Sequence, residues 1–266
     1  ILFGYVGPYF RNQNACVYCC GNTLISLTGV GGDARISADG SGERNKISES
    51  WQIMQYDKLN RTFSCSPTLP DSEVLEFCRN GFLILNGVVP SEINQRTCDY
   101  LNGKTPSNPS YIPEGYTEYT KEDLENIRNS PEPTTLILED WFINQVLLNS
   151  QLSGALRSLL GHNVGLPNLL SRHTTQCPEP AQGWHHDADS VFGPETNYLE
   201  VFYYPQDTPV EMGPTEVLPG SHIKFTPRED EENGVATSAP SGSFVIHSQS
   251  ILHRRGKATG KGIRHM

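Results

Sequence analysis

From residue 71 onward the apolar positions fall into short periodic runs. In Asp71-Ser72-Glu73-Val74-Leu75-Glu76-Phe77-Cys78-Arg79-Asn80, the residues Val74, Phe77 and Cys78 share one face at helical spacing, and Gly81 is placed to stop the helix. Phe82-Leu83-Ile84-Leu85 is apolar throughout, which marks a buried strand, and Asn86-Gly87 breaks it. A second helix is expected over 92–101, after Pro90-Ser91 and before Asn102-Gly103. Residues 104–118, rich in Pro, Ser and Tyr, read as a loop. Apolar residues three and four apart predict amphipathic helices over 136–148 and 152–160, the second ended by Gly161 and both packed on a sheet.

The period changes after residue 163. Segments 164–176, 197–204, 215–218 and 243–246 read as short strands separated by Pro and Gly. Side chains alternate along a strand, so Leu199, Val201 and Tyr203 share a face. Helices followed by a run of strands predict an α+β fold, with the helices packed on a mainly antiparallel sheet or barrel.

Residues 1–53 lack an apolar period, and Gly31-Gly32 through Gly42 is rich in Gly and Ser. The first methionine is Met54. The expectation is an N-terminal extension over 1–53, flexible or outside the native protein (the second is favoured), and one domain over 54–266.

Charge narrows the partners. The chain has 266 residues and carries 20 basic against 30 acidic ones, net −10. An acidic surface repels phosphate backbones, so nucleic acid is not an expected partner. Apolar runs such as Phe82 to Leu85 fall far short of the ~20 residues that span a bilayer, so no membrane association is expected. Seven cysteines include one CxxC, Cys16-Val17-Tyr18-Cys19, without a second pair to complete a zinc site, so free thiols are expected. With no secretory leader pattern at the start, the sequence reading is cytoplasmic. Glu229 to Glu232, with Asp230, reads as a solvated acidic loop.

The candidate chemistry lies in the last third, which holds six of the eight histidines. In Gly183-Trp184-His185-His186-Asp187, extended backbone sends His185 and Asp187 to one face and His186 to the other. A third ligand must come from elsewhere, and His253 in Ile251-Leu252-His253-Arg254-Arg255-Gly256 is the candidate. Two imidazoles and a carboxylate leave three positions free on a metal, which suits non-haem Fe(II) oxygenases: a 2-oxo acid takes two and O2 the third. The far carboxylate of that acid needs a cation. Arg264, 11 residues after His253 and expected at the start of a strand, offers a bidentate fork. Arg254, Arg255, Lys257 and Lys261 sit near turns and are expected to be solvated. A zinc hydrolase also uses His, Asp and His, but it leaves Arg264 unexplained.

Over residues 74–266 the chain resembles the phytanoyl-CoA dioxygenase family of Fe(II)/2-oxoglutarate-dependent oxygenases. The matching pieces are Phe77 to Leu85, the Trp184-His185-His186-Asp187 box, Gly213-Pro214-Thr215-Glu216-Val217-Leu218-Pro219-Gly220-Ser221-His222, and His253-Arg254-Arg255-Gly256 leading to Gly262-Ile263-Arg264. The resemblance implies a double-stranded β-helix (jelly-roll, cupin-like) core with helices on one face. It implies Fe(II) on His185, Asp187 and His253, the 2-oxoglutarate carboxylate on Arg264, and Tyr203 lining the cosubstrate pocket. The retained Asp187 implies hydroxylation rather than halogenation of a small-molecule substrate, with O2 consumed, succinate and CO2 released, and ascorbate as a reductant. His222 is expected to be structural. The family's barrel runs on past its arginine with another strand, so the expectation is either that the sequence is truncated at Met266 or that this last strand is missing. The rival within the same fold is a non-catalytic binding or scaffolding homologue. No residue points to a CoA site, and neither the substrate nor the oligomeric state is legible.

Overall fold

A computed structural model describes residues 2–4, 55–57, 62–104, 132–161, 164–165, 170–187, 190–227 and 233–266. The first strands are β1 (Leu2–Gly4), β2 (Gln55–Asp57), β3 (Thr62–Ser64), β4 (Phe82–Leu85), β5 (Glu132–Pro133), β6 (Val164–Gly165) and β7 (Ser171–Arg172). They are followed by β8 (Thr174–Glu179), β9 (Tyr198–Tyr204), β10 (Thr215–Val217), β11 (Val235–Ala236), β12 (Ser243–Ser248), β13 (His253–Arg255) and β14 (Ala258–His265). Among the described residues three helices exceed two turns: α1 (Asp71–Asn80), α2 (Ser91–Asn102) and α3 (Ser150–Leu160).

The helix ends follow from local chemistry. Asp71 and Glu73 place negative charge at the N-terminus of α1, and Gly81 closes it with φ 81° while donating its N–H to Phe77 O. A side chain there would strike the His222 ring, 2.4 Å from an added Cβ, so Gly81 also admits the Pro-Gly-Ser-His turn. Asn149 caps α3 by accepting from the N–H groups of Gln151 and Leu152.

The region 136–148 departs from expectation. Instead of one helix it contains a 3-10 turn (Thr135–Leu138), a short α segment (Asp140–Phe142) and a π turn (Ile143–Leu147), with Glu139 extended between the first two. Apolar spacing of three and four is compatible with all three hydrogen-bonding patterns, so periodicity cannot separate them. The expected strand over 164–176 is likewise divided among β6, β7 and the start of β8. The expected loop over 104–118, beyond Lys104, and the acidic run 229–232 lie outside the described residues.

The largest sheet has the order β1-β9-β12-β4, antiparallel throughout. Its register pairs Phe244 with Tyr203 and Ile246 with Val201, so these residues leave one face. They join Phe77, Leu101, Phe142, Val146, Leu152 and Leu156 in the main apolar core, which places the helices on that face. The arrangement is α+β, helices with antiparallel sheets, as the sequence predicts. The opposite face carries Glu200, Phe202, Tyr204, Val245 and His247. Two smaller sheets, β11-β10-β13 and β14-β8, adjoin it: the Tyr204 hydroxyl accepts from the N–H of Thr215 and contacts Thr237 Oγ1. Of the 1–53 extension, Leu2–Gly4 pairs with β9 at the sheet edge, and the rest lies outside the described residues. Among the described residues no helix is long and apolar enough to cross a membrane. Cys65, Cys78, Cys98 and Cys177 are free thiols.

Candidate metal and cosubstrate site

His185 and His253 are brought together by a single antiparallel bridge: each donates its N–H to the other's carbonyl at 3.0 Å. Residues directly opposite in such a pair project to the same side. Their rings lie 4.4 Å apart, centroid to centroid. Asp187 returns to that side two residues later, its Oδ1 3.8 Å from Nε2 of both histidines. One ligand atom from each of the three lies within 4.8 Å of the others.

The backbone sets which nitrogen of each ring is available. His185 Nδ1 lies 2.9 Å from Gly183 O and His253 Nδ1 lies 3.0 Å from Ile251 O. A carbonyl only accepts, so Nδ1 donates and the Nε2 lone pair faces the site. Burial, reinforced by the neighbouring His247, pushes the His253 imidazole down to about 4, so it is neutral and able to ligate at pH 7. Asp187 is held well above the usual carboxylate range, first by burial and then by the hydrogen bond and charge of Glu200, with His253 and His185 pulling the other way. The donor set fits a divalent first-row cation. Bonds of ~2.1 Å at right angles set neighbouring ligand atoms about 3 Å apart, less than 1 Å inside the observed 3.8 Å. His186 is elsewhere: its Nδ1 donates to Ser250 O at 2.8 Å and its ring packs on Phe192 and Phe225.

Arg264 lies near the end of β14, not at its start, opposite Thr175 of β8. It is 1% exposed. Its guanidinium donates to Gly213 O and, at 3.2 Å, to Thr175 Oγ1. Its Nε has no hydrogen-bond partner among the described residues. Burial lowers its pKa to about 10, so the charge persists at neutral pH. Gly213 sits at φ +64°, where an added Cβ would lie 2.6 Å from Gly256 O; glycine is what lets this carbonyl reach the arginine.

The other cations of this segment divide. Arg254 and Arg255 are half-buried and paired, against the expectation that they are solvated. Arg254 Nε meets Glu216 Oε2 at 2.5 Å with its guanidinium over Trp184, and Arg255 Nη2 bonds Pro180 O and lies 3.5 Å from Glu179 Oε1. Lys257 and Lys261 are exposed.

Tyr203 requires a correction. Its hydroxyl donates to Asn94 Oδ1 and its ring packs on Phe142 and Phe244, so it belongs to the helix-backed core rather than to a cosubstrate pocket. Its neighbour Tyr204, one residue on, lies on the opposite face, with its hydroxyl on the N–H of Thr215 and on Thr237 Oγ1. His222 fits the structural expectation: it is buried, with Nε2 3.1 Å from Cys78 O.

The model of the phytanoyl-CoA dioxygenase (PhyH) family matches residues 77–266, which include all three candidate ligands and Arg264. The chain belongs to this family. Among curated proteins none matches. Among solved structures, AviO1 from Streptomyces viridochromogenes Tue57 is 16% identical, covering 75% of this chain and 93% of that one, with a TM-score of 0.51. EctD from S. alaskensis with bound Fe is 14% identical over 80% of each chain, at a TM-score of 0.53. The epimerase SnoN in complex with Fe3+, alpha ketoglutarate and nogalamycin RO is 16% identical over 73% of this chain and 80% of that one, at 0.50. At these identities the likeness is one of fold.

Sequence reasoning missed Glu200, His247 and Thr175. The signal for the first two was present: a carboxylate in Tyr198-Leu199-Glu200-Val201-Phe202-Tyr203 and an imidazole in Ser243-Phe244-Val245-Ile246-His247 interrupt apolar strands, and such residues need a partner.

Proposed function

We propose that this chain is an Fe(II)- and 2-oxoglutarate-dependent dioxygenase that hydroxylates a small molecule. The observation that carries the proposal is the convergence of His185, Asp187 and His253 in a chain of a dioxygenase family, with a buried arginine on the strand that follows His253 in the chain. The proposed core is a double-stranded β-helix, with the helix-backed sheet as one wall.

His185, Asp187 and His253 would hold Fe(II). When bound, the iron supplies O2 activation coupled to decarboxylation of 2-oxoglutarate, so that substrate C–H, 2-oxoglutarate and O2 become substrate C–OH, succinate and CO2. The chain's own residues position the reactants. The Nδ1–H bonds to Gly183 O and Ile251 O fix both imidazoles, and Asp187 supplies the single negative charge of the ligand set. Arg264 would bind the distal carboxylate of 2-oxoglutarate, a bidentate match in a buried setting.

The test is succinate formation from 2-oxoglutarate by anaerobically purified protein given Fe(II), ascorbate, O2 and a panel of small molecules. Turnover that His185→Ala abolishes supports the proposal; no turnover, coupled or uncoupled, counts against it and favours a non-catalytic homologue. Because the similar protein SnoN is an epimerase, oxidation without oxygen transfer is the second reading. Label from 18O2 in the product separates the two.

A further inference from the structure

Two more side chains converge on the ligand set. Glu200 of β9 and His247 of β12 are cross-strand partners, so both leave the sheet face opposite the helices. His247 is fully buried. Its Nδ1 lies 2.9 Å from Ser248 O, and its Nε2 lies 3.5 Å from Glu200 Oε2. The His247 and His253 rings are 5.0 Å apart. One donor atom from each of Glu200, His247 and His253 lies within 4.8 Å of the others. Asp187 and the Glu200–His247 pair therefore share His253 as a neighbour.

Two roles compete for this pair. Glu, His and His form a chemically competent ligand set, which suggests a second metal. That set shares His253, whose Nδ1 is committed to Ile251 O and whose Nε2 has one lone pair. The two sets therefore cannot be filled together. The other role is support of the first set. Metal ligands are themselves held by hydrogen bonds, and losing such a partner costs roughly 10–100-fold in metal affinity. Each histidine ligand has a backbone carbonyl for this purpose. The His253 ring has the Glu200–His247 pair packed against it as well, from the two facing strands.

We propose that Glu200 and His247 form a positioning pair that fixes the His253 ring in its ligating orientation. The proposal rests on the reading of His185, Asp187 and His253 as the iron ligands, and it concerns side chains that the sequence does not assign to the site.

The test uses Co(II) as probe, read by chelator competition and by the visible spectrum of the bound ion, with thermal unfolding as the fold control. Glu200→Ala and His247→Phe should each weaken Co(II) binding by about 10–100-fold and alter the spectrum. The double variant should cost little more than the worse single one, because both act on the same ring. Glu200→Gln keeps the shape and a polar group toward His247, so it should lose less affinity than Glu200→Ala. His247→Gln is the independent arm if an apolar or truncated variant does not fold. Unchanged affinity and spectrum in folded Glu200→Ala overturn the pairing while leaving the iron site intact. Retained binding in His185→Ala together with loss in Glu200→Gln overturns it differently, by making Glu200 and His247 ligands themselves. If the unaltered protein takes up no Co(II), the iron reading falls and the pair with it.

Discussion

Replacing Arg264 with alanine should raise the dissociation constant for 2-oxoglutarate by roughly 30-fold or more, because breaking a buried charge-assisted pair costs about 2–5 kcal/mol and ~1.4 kcal/mol is a factor of ten. Among the cations of the segment 254–261 none is placed to substitute. Arg254 is held by Glu216, Arg255 faces Glu179 and Pro180, and Lys257 and Lys261 are exposed. The same truncation strips a donor from Gly213 O and from Thr175 Oγ1. A buried polar group left unpaired costs about 1–3 kcal/mol, so some loss of stability accompanies the loss of affinity. Arg264→Lys separates the effects: it keeps the charge but not the fork, so affinity should lie between parent and alanine variant. The assay is equilibrium dialysis of labelled 2-oxoglutarate against Mn(II)-loaded protein under nitrogen, with metal content measured in parallel. Metal content should not change. A folded, metal-loaded Arg264→Ala protein with parental affinity would show that another group holds the carboxylate.

Alanine at His185, Asp187 or His253 should each abolish stoichiometric metal uptake, read by elemental analysis, whereas His186→Ala should retain it; loss in His186→Ala would mean that the ligand register is wrong. Metal affinity should depend on pH with a definite sign. The metal-free Asp187 carboxyl is held above the usual carboxylate range and must lose its proton to ligate, so affinity should rise with pH as it ionises and level off above that range. His253, already neutral above about 4, adds nothing in that window, so a flat profile from pH ~5.5 to 7 would contradict the assignment of Asp187. Gly213→Ala should destabilise by about 1–3 kcal/mol in urea unfolding, because φ +64° is unfavourable for alanine and its Cβ meets Gly256 O.

The elements that were legible are those bounded by local chemistry. Helix α1 and strand β4 match the expected limits because Gly81 and Asn86-Gly87 punctuate them, and α2 extends the expected 92–101 by one residue at each end. The His185–Asp187 pair was legible because a spacing of two carries its own geometry. His253 was a matter of candidate choice, since the bridge that places it opposite His185 spans 68 residues of sequence. The π turn at Ile143–Leu147 was not legible, since the apolar positions there suit an ordinary helix equally well.

The correction of Tyr203 shows what alternation can and cannot decide. Period two correctly groups Leu199, Val201 and Tyr203, and it groups Glu200, Phe202 and Tyr204 on the other side. It does not say which group faces the chemistry, because a strand covered on both faces is apolar on both. The register with β12 decides it. Tyr203 stands opposite Phe244 in the helix-backed core, while Glu200 stands opposite His247 and beside the ligands. A carboxylate is costly on a covered face unless something there needs it, so Glu200 was the more informative residue of β9, although an aromatic side chain draws the eye first. On this reasoning the chemical face of a doubly covered strand is best sought where its polar residues point.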